Sequence, residues 1–291
     1  MVQKRLKVER EEGLLEFLLA ELPQMSRKKV KNLLAYSQVI VEGKVVKQFN
    51  HPLQIGQIVE ITKAQKVEAD YRFQGVKIIH EDDAIIVINK AAGVLSMSGK
   101  NPNEPTAYRQ LSDYVKSTNP NSRIFIVHRL DRDTSGVMVF AKTEEVKTKL
   151  QSNWQKSVKE RTYTALVEGI ISREKGQLKS WLTESKTLKV YSSQHNNGGK
   201  LAITNYEKIQ GNRQFTLLKV NLETGRKNQI RVHMQDLGHS IVGDKKYGAT
   251  DNPMKRLGLH ATSLVFEHPV TGKIMSFNID APADFFKLSS N

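Results

Sequence analysis

The feature that most constrains this 291-residue chain is a polar segment between two apolar runs near its middle. The runs at 124–127 and 137–141 are typical of buried strands. Between them lie a histidine, two arginines, two aspartates and a Thr-Ser-Gly sequence. A buried strand is a rigid support, and a polar loop at its end often presents reactive groups. The simpler interpretation is a solvated surface turn, so composition alone predicts a loop between strands and leaves its chemistry open.

The order of the residues in this segment is more specific. His128-Arg129-Leu130-Asp131, followed by Thr134-Ser135-Gly136, resembles the central signature of the RluA-type pseudouridine synthases, which isomerise uridine in RNA. The resemblance implies that Asp131 is the catalytic residue that attacks the nucleotide. It also implies that Arg129 helps to displace the target base, and that His128 belongs to the same base-flipping and substrate-binding group.

Two other segments resemble the family on either side of this signature. The sequence from Lys90 to Val94 is similar to the family's first segment, with Ala91 where the family usually has proline. The alternating stretch at 161–167 is typical of a strand, in which a tyrosine is ordinarily a half-buried packing residue. In the family this stretch carries an active-site tyrosine near the target base, which implies that role for Tyr163.

The segment at 222–234 matches the family segment whose second arginine pairs with the catalytic aspartate. That arginine is Arg231 here, and the resemblance implies that Arg226 and Ile230 bind substrate. Asn228 stands where the family often has histidine. Later matches follow in the family's order, and together the segments cover roughly residues 78–272; they include Asp244, Tyr247, Gly248, 259–261 and 266–269.

The first 64 residues predict a small domain of two helices followed by short strands. Leucines repeat at helical spacing between Leu14 and Leu22, and Ser26 has the side chain of an N-cap for a second helix. A turn at Glu42-Gly43 lies between strand-like runs. The mixed charges of residues 1–12 predict a frayed start.

The second helix of this small domain opens with basic residues, and a helix start favours anions. The helix and the strands after it resemble the RNA-binding module of ribosomal small-subunit protein four. The resemblance implies that Arg27, Lys28 and Lys31 contact RNA. A solvated helix face is the alternative interpretation of the same charges.

Three further local patterns predict secondary structure. A helix is expected at 107–116. A second is expected after Lys142, where Val146, Leu150, Trp154 and Val158 are spaced four apart. The sequence at 196–199, Asn-Asn-Gly-Gly, indicates a hairpin.

Composition limits the classes of partner. The chain has 45 Lys and Arg against 30 Asp and Glu, a formal net charge of +15, which favours nucleic acid or an anionic membrane. No apolar run approaches the ~20 residues that span a bilayer, and no signal peptide opens the chain. We therefore expect a cytoplasmic protein that binds RNA and no membrane.

Metal and phosphoryl-transfer sites are not indicated. Cysteine is absent, which removes disulfides and thiolate ligands. His233 and His239 are six apart, a spacing that does not place two ligands on one helix face, so no metal is expected. The run from Arg129 to Asp131 is also similar to a kinase catalytic loop, but no glycine-rich loop precedes it.

The implied chemistry needs a carboxylate and no cofactor. Uridine becomes pseudouridine when the bond from the anomeric carbon to a ring nitrogen breaks, the base turns, and a bond to ring carbon-5 forms. Nothing is oxidised and no group is donated. A carboxylate serves as nucleophile or base in related glycosidic chemistry, and an adjacent guanidinium favours its ionised form. The family resemblance assigns these parts to Asp131 and Arg231.

Reaching the base imposes a second requirement. A stacked uridine must be turned out of the RNA before it can react. In the family's arrangement Arg129 fills the vacated stack, and Tyr163 offers a face to the extruded base.

We therefore predict an α+β protein with an RNA-binding domain at 1–64, a linker at 65–76 and a catalytic domain at 77–291. The catalytic domain should have a mainly antiparallel sheet, flanking helices and a central cleft. The predicted activity is isomerisation of specific uridines in structured RNA by a monomeric enzyme, and the small domain favours large-subunit ribosomal RNA over transfer RNA. The alternatives are a non-catalytic RNA-binding or ribosome-assembly protein, and a glycosidic-bond hydrolase that releases free base.

Overall fold

The structure, a computed structural model, describes residues 2–35, 38–62, 72–97 and 104–290. The side chains of residues 2, 3, 28 and 35 lie outside this description, and so do residues 65–71 of the predicted linker. Within the described part of the chain, no helix is long and apolar enough to cross a membrane.

The described chain forms seventeen strands, seven helices and one short 3-10 turn. In chain order these are β1 (Val2–Lys7), β2 (Glu12–Gly13), α1 (Leu14–Glu21), α2 (Arg27–Ala35), β3 (Val39–Val41), β4 (Lys44–Val45), β5 (Pro52–Leu53), β6 (Ile58–Thr62), β7 (Val76–Glu81), β8 (Ile85–Lys90), α3 (Ala107–Thr118), β9 (Phe125–Ile126), β10 (Ser135–Ala141), α4 (Glu144–Ser152), α5 (Trp154–Ser157), β11 (Val158–Glu168), β12 (Lys175–Glu184), β13 (Val190–Ser193), β14 (Lys200–Gly211), β15 (Phe215–Leu222), α6 (Gln229–Asp236), the 3-10 turn (Lys245–Tyr247), β16 (Leu259–Glu267), β17 (Ile274–Asn278) and α7 (Ala283–Ser289).

These elements group into two compact units. The first comprises Met1–Arg72 and Leu111–Arg123, and the second comprises Phe73–Gln110 and Ile124–Asn291. The predicted division at residues 64 and 76 stays a prediction. The first unit differs from it by including residues 111–123, which lie within the predicted catalytic range.

The first unit contains a four-stranded antiparallel sheet in the order β1-β6-β3-β4. The expectation of a frayed start is wrong, because the first residues form β1 and pair with β6. Leu6 and Val8, two residues apart, are both buried. This alternation is a strand pattern that the many charges around it concealed.

The two predicted helices of the first unit are present as α1 and α2. Their apolar positions, including Leu14, Leu18, Val30 and Leu34, are buried in one core. Ser26 caps α2 as predicted, since its hydroxyl accepts the backbone N–H of Lys29 at 3.4 Å. The apolar spacing therefore identified the helices, because each buries one face.

The second unit contains an eleven-stranded sheet. Nine strands follow the order β13-β12-β14-β15-β11-β16-β10-β8-β7, while β17 pairs with β16 and β9 pairs with β10. All of the described pairings are antiparallel except that of β10 with β16. Helix α6 lies against β13 and β14, and α7 lies against β15. This architecture confirms the predicted α+β class with a mainly antiparallel sheet.

The predicted helix after Lys142 is shorter than expected. Val146 and Leu150 are buried on α4, but α4 ends at Ser152 and α5 spans only Trp154–Ser157. Val158 is the first residue of β11, where it pairs with β16. Pairing with another strand overrides the local helical spacing at this position.

Residues 196–199 form a turn, but the predicted hairpin is wrong. The flanking strands β13 and β14 both pair with β12 and not with each other. The turn therefore carries the chain from one side of β12 to the other. The side chains of Asn196 and Asn197 accept the backbone N–H groups of Gly198 and Gly199. An Asn-Gly sequence specifies such a turn, but it does not specify which strand lies alongside.

Gly136 lies where the backbones of β10 and β16 come closest. It pairs with Ala261 in the parallel ladder and has a φ of 115°. A Cβ atom built at this position would lie 2.1 Å from the Ala261 carbonyl oxygen. Both the conformation and the space therefore require glycine at the end of the Thr-Ser-Gly sequence.

We expect Gly136→Ala to lower the free energy of unfolding by about 3 kcal/mol or more, because it combines a strained φ with a backbone collision. Gly198→Ala is the matched control: Gly198 also has a positive φ, of 81°, but no atom lies within 4 Å of its added Cβ. The control should cost about 1 kcal/mol. Urea denaturation measures both values, and equal losses would show that the close approach of β16 is not the reason for glycine.

Candidate active site

The loop that carries Asp131 is held by a buried lysine beneath it. Lys90, at the end of β8, is fully buried, and its Nζ donates hydrogen bonds to the carbonyl oxygens of Ala91 at 3.0 Å, Val94 at 2.7 Å and Arg132 at 2.9 Å. One ammonium group thus joins the segment after β8 to the loop before β10. Burial lowers the pKa of Lys90 to about 8, although the nearby aspartates of the loop favour its charged form.

A buried serine makes a second connection between the same two segments. The Ser96 hydroxyl donates to the Leu130 carbonyl at 2.7 Å and accepts the Leu130 N–H at 3.2 Å. Within the loop, the Thr134 N–H donates to the Asp131 carbonyl at 3.2 Å. The backbone on both sides of the Asp131 side chain is therefore fixed.

Arg231, the third residue of α6, hydrogen-bonds the carboxylates of both Asp244 and Asp131. Its Nε and Nη2 donate to the two oxygens of Asp244 at 2.7 Å and 2.8 Å. Its Nη1 donates to Asp131 Oδ2 at 3.2 Å. The Asp244 side chain is 1% exposed, against 13% for Arg231 and 25% for Asp131. The principal partner of Arg231 is therefore Asp244, while Asp131 receives one N–H from Nη1 and stays open to the pocket.

The charge of Arg231 is strongly favoured at this position. Burial acts to lower the pKa of the guanidinium, but the hydrogen bonds and negative charges of Asp244 and Asp131 outweigh burial and raise that pKa above its usual range. Arg231 also lies over the ring of Tyr247, 5.0 Å from the ring centre. A two-bond guanidinium–carboxylate pair fixes both partners in one geometry.

Asp131 and Arg231 line a pocket whose other lining residues are partly apolar and partly polar. The apolar part of its lining comes from Leu130, Leu222, Ile230 and Leu259, together with Tyr163. The polar part includes Thr134, Arg226, Lys227, Asn228 and Gln229, and Arg129 lines the pocket as well. A flat ring with apolar faces and polar edges fits such a lining.

Tyr163, on β11, is held in its protonated form. Burial raises the pKa of its hydroxyl; Arg161 opposes the shift, and Asp131 adds to it. Arg161 is itself held by the carbonyl oxygens of Leu222 and Glu223 at 3.2 Å and 3.1 Å. Tyr163 is therefore suited to pack against a ligand or to donate a hydrogen bond, and not to act as a base.

The other basic side chains of the pocket differ in the number of bonds that hold them. Arg226 donates from Nε to the Leu201 carbonyl at 3.0 Å. Lys227 pairs with Glu184. The exposed side chain of Arg129 makes no hydrogen bond or ion pair with any residue that the structure describes. Arg129 is therefore free to meet a ligand without breaking an existing contact.

His128 is not among the residues that line the pocket, and its place in the base-flipping and substrate-binding group stays a prediction. Its Nε2 accepts the Val139 backbone N–H at 3.1 Å, and its ring packs against Trp154 with ring centres 4.9 Å apart. Burial lowers the pKa of His128 to about 3, with a smaller effect from Arg161. The imidazole is therefore neutral at physiological pH, and its bond to the Val139 N–H ties the start of the loop to β10.

No metal centre is formed by the described residues, among which no group of three His, Asp or Glu side chains has a suitable arrangement. The buried His233 is used instead in hydrogen bonds with Thr204 and Ser180 at 2.8 Å and 2.9 Å. Burial lowers the pKa of His233 to about 4.

Comparison with known proteins assigns the chain that carries this pocket to a family. The family model described as RNA pseudouridylate synthase matches residues 84–236, more than half of the chain. The matched range contains Asp131, Tyr163 and Arg231. The chain belongs to the RNA pseudouridylate synthase family. The predicted enzyme class, an RNA isomerase, is thereby confirmed.

Curated relatives extend the similarity to nearly the whole chain. The ribosomal large subunit pseudouridine synthase D of Pasteurella multocida (strain Pm70) is 34% identical, over 94% of this chain and 89% of its own length. The protein of the same name from Escherichia coli (strain K12) is 33% identical over the same shares. These relatives confirm the predicted RluA-type assignment within the pseudouridine synthases.

Solved structures support the fold. Human RNA Pseudouridylate Synthase Domain Containing 4 has a TM-score of 0.59 and 21% identity, covering 72% of this chain and 90% of that one. Human RNA Pseudouridylate Synthase Domain Containing 1 has a TM-score of 0.58 and 22% identity, covering 71% and 84%. The resemblance of residues 1–64 to the ribosomal protein module stays a prediction.

Several residues of the pseudouridine synthase site carried no assigned role in the sequence analysis. Asp244 and Tyr247 were matched only by their order in the family, and Lys90 only as part of its first segment. No local sequence signal marks Asp244 as buried, because an aspartate is rarely buried unless it is paired. A buried charge needs a partner, but its identity depends on the fold.

We expect Arg231→Lys to lower the rate of pseudouridine formation at saturating RNA by about 10-fold or more, because one ammonium cannot bond both oxygens of Asp244 and also reach Asp131. Arg231→Met should lower it further. RNA affinity should change little, since Arg231 faces carboxylates and not solvent. Arg213→Lys, at an exposed position outside the pocket, is the control. Unchanged turnover with weaker and less salt-dependent binding would identify Arg231 as a phosphate contact.

Proposed function

We propose that this pseudouridine synthase converts specific uridines of large-subunit ribosomal RNA, and that Asp131 is the group that reacts with the nucleotide. The observation that carries the proposal is the Asp131 carboxylate, exposed to the pocket and held from behind by Arg231. The relatives that cover 94% of the chain are named for the large ribosomal subunit. Ribosomal RNA is therefore the substrate favoured over transfer RNA.

Every possible mechanism of the reaction places the same requirement on the carboxylate, which must be ionised and fixed in orientation. The glycosidic bond to the ring nitrogen breaks, a bond to ring carbon-5 forms, that carbon loses its proton, and the nitrogen gains one. Asp131 can begin this sequence by attacking the anomeric carbon, by attacking the ring, or by removing a sugar proton. Each route requires an ionised carboxylate of fixed orientation, and the guanidinium of Arg231 favours that state.

Tyr163 and the apolar part of the pocket lining are suited to hold the detached base. Between bond cleavage and bond formation the base must turn without leaving, so the pocket has to hold it by its faces. The Tyr163 ring and the side chain of Ile230 provide apolar surface beside Asp131. Because burial raises the pKa of Tyr163, its hydroxyl keeps its proton and adds no negative charge near the carboxylate.

Arg129 and Arg226 are proposed to handle the RNA around the target. Arg129 is exposed and unpaired among the described residues, so its guanidinium can replace the extruded base in the stack. Arg226, which lines the pocket, is held by the Leu201 carbonyl. His128, which the resemblance places in the same group, is proposed to act by holding the loop that carries Arg129, because its ring bonds the backbone of β10.

The first unit is proposed to bind RNA and to take no part in the chemistry. Arg27 and Lys31 are exposed on α2, and Lys28, whose side chain lies outside the described residues, belongs to the same proposal. Arg27→Met combined with Lys31→Met should weaken RNA binding and flatten its salt dependence. Lys273→Met with Lys287→Met removes the same charge elsewhere, and equal affinities of the two variants would contradict the proposal. A monomeric, cytoplasmic enzyme stays a prediction from the sequence.

We expect Asp131→Asn to abolish pseudouridine formation while RNA affinity stays within a few-fold, because the amide keeps the shape of the side chain and loses its nucleophilic charge. Asp133→Asn, the same change two residues along the loop, is the control and should retain activity. The measurement is nucleoside analysis of large-subunit RNA after single-turnover reaction.

The same digests separate the proposed function from its alternatives. An isomerase leaves the RNA mass unchanged and yields pseudouridine. Release of free uracil would identify a glycosidic-bond hydrolase, and binding without any new nucleoside would identify a non-catalytic RNA-binding protein. Turnover retained in Asp131→Asn would remove Asp131 from the chemistry.

A further inference from the structure

The side-chain amide of Asn228 lies between the Asp131 carboxylate and the Tyr247 hydroxyl. One of its terminal atoms is 2.9 Å from the Tyr247 oxygen. The other is 2.9 Å and 3.2 Å from the two carboxylate oxygens of Asp131. The oxygen and nitrogen of an amide have nearly the same shape, so their partners determine which atom faces which group. Asn228 is buried, and a buried amide in the wrong orientation is costly.

The Tyr247 hydroxyl determines this orientation. The Val190 backbone N–H donates to the hydroxyl oxygen at 3.1 Å, which leaves the hydroxyl proton to be donated elsewhere. The Asn228 amide is the neighbour that can accept it, through its oxygen. The NH₂ group then faces Asp131 and donates to both carboxylate oxygens. The opposite orientation would set an amide oxygen against a carboxylate, with no proton between the two acceptors.

We propose that Asn228 is a positioning residue for Asp131, and that Tyr247 holds the Asn228 amide in the orientation that donates to the carboxylate. This role rests on the proposed function of Asp131 as the reacting group. Arg231 donates to one of the two oxygens of Asp131, through a single N–H, and one such bond leaves that carboxylate free to turn about its own axis. The two donations from Asn228 fix its plane.

The backbone at Asn228 supports a role for the side chain. The residue has φ 53° and ψ 19°, a left-handed conformation that glycine adopts without strain and that asparagine tolerates better than most residues. It lies just before α6, where an asparagine side chain ordinarily accepts a helix N–H. Asn228 makes no such capping bond. Its amide is used between Asp131 and Tyr247 instead, which is a function that glycine could not supply.

The first test replaces the amide donors. Asn228→Asp keeps the size of the side chain and an acceptor for Tyr247, but it sets a second carboxylate against Asp131. We expect kcat to fall by about 100-fold with RNA affinity within a few-fold of wild type, because like charges would face each other and misalign the reacting group. Asn228→Ala, which adds no charge, should lower kcat by about 10-fold or more. Wild-type kcat in the folded Asn228→Ala protein would overturn the proposal.

The second test concerns the hydroxyl that orients the amide. Tyr247→Phe keeps the ring beneath Arg231 and removes only the hydroxyl, so kcat should fall by about 10-fold while thermal unfolding shows an intact fold. In the Asn228→Ala background the same change should cost less than it does alone, because the hydroxyl acts through the amide. If Tyr247→Phe lowers kcat by the same factor in the Asn228→Ala background as in the wild type, the proposed role of Tyr247 is overturned.

The control and the reference reaction keep these outcomes distinct. Tyr191→Phe removes the hydroxyl of an exposed tyrosine and should leave kcat unchanged. Wild-type protein must form pseudouridine in the same assay, and its failure to do so would overturn the proposed function together with this role. An active wild type with unaffected Asn228 and Tyr247 variants would overturn the positioning role alone.

Discussion

The site depends on one buried ion pair, between Arg231 and Asp244. A charge removed from water is tolerated only when a partner satisfies it, and each of these side chains satisfies the other through two parallel hydrogen bonds. That geometry fixes the plane of the guanidinium, and an N–H of its third nitrogen, Nη1, reaches Asp131. The Asp131 carboxylate is thus positioned by a residue whose own position is set by Asp244, and Asp131 keeps its exposure to the pocket.

The sheet provides the second half of this arrangement. The loop that carries Asp131 follows the short β9 and leads into β10, which is buried along its whole length. Lys90, at the end of the neighbouring β8, bonds the carbonyls of both adjoining segments. Loop and α6 therefore approach the pocket from separate, rigid supports. Preorganisation of this kind lets the protein fix charge and orientation before the RNA arrives.

Local patterns predicted a large part of this architecture. The apolar run at 137–141 and the leucine repeat of α1 each reflect a constraint within a few residues, and both predictions were confirmed. The approach of Arg231 to Asp131 came from the family resemblance, and the 3.2 Å contact agrees with it. The predictions that failed depend on partners distant in sequence: the frayed start pairs with β6, and the turn at 196–199 crosses β12. The selection of Asp244 as the main partner of Arg231 was not predictable for the same reason.

The most direct test of the ion pair is the single-turnover rate of Asp244→Asn at saturating RNA. The substitution preserves shape but leaves the guanidinium fork with one acceptor instead of two, so Arg231 can turn away from Asp131. We predict that the rate falls by about 10-fold or more while RNA affinity stays unchanged. The control Asp251→Asn should match wild type in rate, RNA affinity and unfolding transition. A wild-type rate in Asp244→Asn would contradict the account, because it would show that Asp131 is held without the buried pair.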